Sequence, residues 1–214
     1  MSTRFFIYLI VLTIVAITGM VKYKKLTTPF RLLVALILIT IISEVSSRFF
    51  AYRIRNSSPP YHFYAPIQLL LYAAIYFRLL KNARTKTFIL YGTPVLVIFS
   101  MLNSIFLQDL YTFPSNSIIT ISFVLIVLSL LYFREMLQYP LQISLVRQST
   151  FWFNCAVLVF FCTTFFIYCF YNYFLIYHIK TKLISTINYI MTIAYYSVLT
   201  FAMLTDNKSN GSKQ

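Results

Sequence analysis

Glu44 and Arg48 stand four residues apart inside a run that is otherwise almost wholly apolar. That spacing puts both on one face of a helix, in the order that favours an ion pair. Two kinds of chemistry fit them. The pair neutralises itself in a medium that solvates charge poorly, or Glu44 receives a proton or a cationic ligand while Arg48 tunes it. The two readings differ in whether the side chains point at each other or into a cavity. His62, Gln68, Asn103 and Asn188 are polar residues in four further apolar runs. A polar side chain inside a span is costly and usually faces the interior of a bundle. Glu44, Arg48, His62, Gln68, Asn103 and Asn188 are therefore the candidate lining of one ligand pocket. The competing reading gives them structural roles: side chains near helix ends reach head groups, and amides bond between helices.

Other chemistries find little support in the residue pattern. There is no Gly-x-Ser-x-Gly, no His-Glu-x-x-His and no glycine-rich phosphate loop. His62 and His178, with Glu44 and Asp109, are the material for a metal site, but their spacing carries no metal signature. Neither a metal nor a cofactor is implied. Cys155, Cys162 and Cys169 repeat every seven residues in one apolar run, which reads as small side chains along one buried helix face. Lys182 comes too early in the last run for a mid-helix Schiff base. Tyrosines cluster at run ends and at Tyr168, Tyr171, Tyr173, Tyr177, Tyr189, Tyr195 and Tyr196. An interfacial belt or packing accounts for them first, cavity lining second.

The elements that must position these groups follow from composition. Apolar residues make up 60% of the 214 and charged ones 10%, against about 45–50% and 25% in soluble domains. The excess falls in blocks able to cross roughly 30 Å of hydrocarbon, which takes about 20 helical residues. The expected fold is all-α: a polytopic transmembrane bundle of about seven helices in one domain, 1–204. The spans are about 5–20, 30–52, 61–80, 87–107, 115–133, 151–175 and 183–204. Gly92 and Pro94 predict a bend in the fourth. Residues 134–150 read as a partly helical segment at the interface, and 205–214 as a disordered polar tail.

A net charge of +14 raises the question of nucleic acid. The basic residues instead flank the apolar blocks, as anchors that set orientation and meet anionic lipid head groups. With the N-terminus outside, twelve of the 18 Lys and Arg fall in the cytoplasm, including the clusters Lys22-Lys25 and Lys81-Lys86. The C-terminus is then cytoplasmic. In that frame Glu44, His62, Gln68, Asn103, Asn116, Asn172 and Asn188 all lie in the outer half, and Asn154 is the one comparable residue in the inner half.

At Ile42-Ser43-Glu44, at Tyr61-His62-Phe63-Tyr64 with Pro66, and at Leu131-Tyr132-Phe133-Arg134-Glu135, the chain resembles small seven-helix membrane proteins of Bacteroidota. Those are similar in layout to the membrane sensor regions that precede histidine kinase domains. The resemblance carries over no catalytic residue. It implies a bacterial inner-membrane location. Because the chain ends about ten residues after its last span, it also implies a signal passed to a separate signalling or membrane partner.

Three functions are carried forward. One is a sensor-like or accessory module with an outward-facing pocket for a small ligand. A small transporter or permease-like subunit requires a path to the cytoplasm. A membrane enzyme acting on a lipid requires Glu44, His62 and Asp109 to converge.

Overall fold

Hydrocarbon offers backbone polar groups no partner, so long apolar runs satisfy them internally as helices. The structure is a computed structural model that describes residues 3–139, 144–176 and 181–207, with backbone alone for 172–176 and 181. It contains α1 (Thr3–Lys22), α2 (Thr28–Ile54), α3 (Pro59–Leu79), α4 (Ala83–Leu102), α5 (Ser115–Gln138), α6 (Ser149–Ile176) and α7 (Thr181–Thr205). No strand occurs among the described residues. Six of the helices are long and apolar enough to cross a membrane. The chain is an integral membrane protein. α3 has the length but not the hydropathy, because it carries Pro59, Pro60, His62, Gln68 and four tyrosines. It packs against α2, α4 and α5, and that enclosure is what lets it be more polar than its neighbours.

The helices alternate in direction. α1, α2, α3, α5, α6 and α7 close a ring, with α1 against α7, while α4 packs outside the ring on α3. α4 buries only Ile89 and Ser100. Gly92 and Pro94 lie within the helix, and a π-helical turn follows at Asn103–Leu107. The expected interfacial segment is shorter than anticipated. α5 continues to Gln138, and Leu145–Arg147 form a single 3₁₀ turn. Pro140, His178 and the tail from 208 onward lie outside the described residues.

The face where α1 ends and α2 begins is bolted by charge. The Asp206 carboxylate accepts the Thr27 backbone N–H at 2.8 Å and the Ser149 hydroxyl at 3.1 Å. It therefore sits at the starts of both α2 and α6, where a negative charge is favoured. Lys22 Nζ donates to the carbonyls of Met203 and Leu204 at 3.2 and 2.5 Å, meeting the end of α7. Glu135 accepts the backbone N–H groups of Lys81 and Asn82 at 2.7 and 3.0 Å. The polar tail thus begins later than expected. Thr205 closes α7, and Asp206 is only 4% exposed.

Above this bolt the ring is filled by Leu12, Val15, Leu33, Leu125, Val157 and Leu199, all nearly inaccessible. α1 and α2 meet at Gly19, where a Cβ would lie 2.6 Å from Val34 Cγ2. Small residues permit such close backbone approach in membrane bundles. In the same half Asn154, fully buried, accepts from Tyr76 at 2.8 Å and Ser129 at 2.9 Å and donates to the Ser129 carbonyl at 3.0 Å. Its amide is structural glue. The cysteine stripe is less buried than its spacing suggested. Cys155 and Cys162 are half-buried, Cys169 is exposed, and all three are free.

Candidate ligand cavity

The opposite half of the ring is hollow. A cavity of about 470 Å³ opens at the face that carries the N-terminus and runs down between α1, α2, α3, α6 and α7. Its size falls within the range of small-molecule sites. Leu33, Leu36, Tyr72, Phe161 and Leu199 close its deep end, each no more than 3% exposed. Among the described residues, twelve of the 27 that line it are aromatic, and eight of those are tyrosines.

Glu44 lines this cavity about 15 Å below the end of α2 by helical rise. Two tyrosine hydroxyls hold it: Tyr8 from α1, donating at 3.3 Å, and Tyr61 from α3, at 3.3 and 3.4 Å. These bonds are long, and they leave carboxylate lone pairs facing the cavity. Arg48 lies one turn nearer the mouth. No hydrogen bond or ion pair joins it to Glu44 among the described residues. Its guanidinium instead stands 3.9 Å from the centre of the Phe5 ring, a cation–π contact. The geometry thus separates the two readings of this pair: the charges face one cavity and do not bond each other.

Gln68 and Asn188 also line the cavity, from α3 and α7. Neither side-chain amide has a hydrogen-bond partner among the described residues. Thr40 is engaged, bonding Tyr64 Oη at 2.8 Å and the Leu36 carbonyl at 2.8 Å. Tyr72 and Tyr195 bond each other through their hydroxyls near the floor. Tyr195 also stacks on Phe160 at 4.4 Å, and Tyr8 leans on Tyr196 at 6.0 Å. At the mouth, Arg4 donates to Thr186 Oγ1 at 3.1 Å and stands 5.8 Å from the Tyr189 ring.

Two candidates lie elsewhere. His62 is buried, and both ring nitrogens are occupied: Nδ1 with Ser104 Oγ and Nε2 with the Thr112 carbonyl, each at 2.8 Å. It ties the start of α3 to the α4–α5 connection. Asn103, fully buried, donates to Gln108 Oε1 at 2.9 Å and Ser117 Oγ at 3.2 Å, and accepts from Asn116 at 3.2 Å. It pins the π-helical turn to α5. Their depth matched that of the cavity residues, but depth says nothing about which way round a helix a side chain points. Asp109 is exposed in the α4–α5 connection, where its carboxylate meets the Tyr111 N–H at 3.4 Å. Glu44, His62 and Asp109 therefore do not converge. No group of three His, Cys, Asp or Glu able to hold a metal ion occurs among the described residues.

The tyrosines, for which cavity lining was the second reading, supply much of the wall. Tyr61 and Tyr64 read as an interfacial belt and in fact line the cavity, as do Tyr168, Tyr189, Tyr195 and Tyr196. Tyr8 and Tyr72 carried no signal beyond a hydroxyl inside an apolar run. A second hollow of about 490 Å³ lies between α2 and α3, lined by Ile42, Phe50, Phe63 and Ile67. Among the described residues that line it, Ser43 Oγ is buried without a hydrogen-bond partner. Comparison with protein-family models, with curated proteins and with solved structures finds no match.

Proposed function

We propose that the protein is a sensor-like or accessory module of a bacterial inner membrane. It binds a small amine in an outward-facing cavity and acts through a separate membrane or signalling partner. The observation that carries this reading is Glu44. Among the described residues it is the one carboxylate that lines the cavity, it stands among tyrosines, and no hydrogen bond or ion pair joins it to the arginine one turn away. A carboxylate within an aromatic cage is the chemistry that recognises an organic cation. The lipid-enzyme reading loses its three acid–base groups to separate locations. The transporter reading requires the floor at Leu33 and Leu199 to part, and beneath that floor the helix ends are bolted by Asp206 and Lys22.

The test is thermal unfolding in lipid nanodiscs with ethanolamine or choline, and with ethylene glycol as a neutral counterpart. The amines raise Tm, ethylene glycol does not, and Glu44→Gln removes the response while the protein stays monodisperse. An equal response to amine and glycol would defeat the proposal. Uptake of labelled ethanolamine by proteoliposomes would replace the module with a transporter.

A further inference from the structure

The cavity presents two opposite charges in a fixed order. Glu44 lies deep, and Arg48 lies one helical turn nearer the mouth, about 6 Å along the axis of α2 by helical rise. A self-neutralising pair would bring these side chains within 4 Å. Here each has other company: Glu44 takes the Tyr8 and Tyr61 hydroxyls, and Arg48 rests on the Phe5 ring. The Arg48 guanidinium has no hydrogen-bond acceptor among the described residues. Arg4, from α1, adds a second guanidinium to the same rim. The Gln68 and Asn188 amides line the same cavity, with no hydrogen-bond partner among the described residues.

We infer that the cavity takes a zwitterion, amine first. The ammonium group lies against Glu44 and the tyrosine rings. An oxyanion, phosphate or carboxylate, lies at the mouth against Arg48 and Arg4. A guanidinium fork matches two oxygens of such a group at once. The one-turn offset selects molecules whose two charges are several bonds apart, as in phosphoethanolamine. That chemistry exists both as a soluble compound and as the head group of a lipid. The inference rests on the amine-binding reading above and sharpens it.

Binding is measured by calorimetry on the full chain in phosphatidylglycerol nanodiscs, with phosphoethanolamine, ethanolamine and inorganic phosphate as probes. Phosphoethanolamine should bind about tenfold tighter than ethanolamine, the order expected of one charge-assisted forked contact. Phosphate alone should bind weakest. Arg48→Gln should close the gap between the two amines, and Arg48→Lys, which keeps the charge without the fork, should leave part of it. Ethanolamine binding as tightly as phosphoethanolamine to the unaltered protein overturns the zwitterion inference and leaves the amine site standing. Binding of neither overturns both. Replacing part of the lipid with phosphatidylethanolamine separates the sources: a blunted response to phosphoethanolamine means the lipid head group already occupies the cavity, and an unchanged one means a soluble ligand.

Discussion

Glu135 and Asp206 do the same work at different places. Each lends a carboxylate to backbone N–H groups at the start of a helix. Asp109 faces solvent in a connection, which leaves Glu44 as the one acid directed into the interior of a span. The division predicts different phenotypes. Asp206→Ala strands the Thr27 N–H and the Ser149 hydroxyl. It should cost about 1–3 kcal/mol, the penalty for an unsatisfied buried donor, seen as a lower Tm in detergent whatever ligand is present. Glu44→Gln should lose ligand response and keep its Tm. Deleting residues 208–214 should change neither. Sequence reading found Glu44 because a carboxylate in a span is conspicuous. It did not find Asp206, which sits among polar residues at a chain end, where nothing local distinguishes a buried cap from a solvated tail. Tyrosine was ambiguous for another reason: one ring serves an interface belt and a cavity wall equally well.

The helices themselves were legible because hydrocarbon forces a long run of apolar residues to be a helix. Every expected span overlaps an observed helix, six of them long and apolar enough to cross a membrane, and the differences lie at the ends. How the helices pack was not legible, since lipid and neighbouring helices demand the same apolar surface. Nothing in the sequence separates α4, which hangs outside the ring, from the six that form it. The α1–α2 contact is a case where one residue decides spacing. Gly19→Ala places a methyl 2.6 Å from Val34 Cγ2, on a buried β-branched side chain that is stiff at χ1. The helices must separate, at about 1–3 kcal/mol. Gly19→Ala with Val34→Ala should recover most of the loss in Tm. Failure of the pair to recover would show that the contact is not what sets the α1–α2 distance.

For the molecule as a whole, the two ends of the ring are built on different principles. One end is dense, capped and crossed by charge; the other is hollow and aromatic. Orientation decides which of them meets the outside. The twelve basic residues assigned to the cytoplasm predict that a reporter active only in the cytoplasm works when fused after Gln214. A reporter working there only in the periplasm would turn the cavity inward and remove the case for an external ligand. The closure of the ring by its first and last helices also has a consequence for how the chain is made. Helices leave the ribosome in order, yet α1 waits for α7 before its cavity side is covered. Asn188, Tyr189, Tyr195 and Tyr196 arrive with that last helix, and Asp206 follows just after it. A chain interrupted after α6 therefore has Glu44 facing lipid through an open seam, with Lys22 and Thr27 lacking the groups they bond. Synthesis of the final 25-residue helix is the step at which a costly groove in the bilayer becomes a closed vessel.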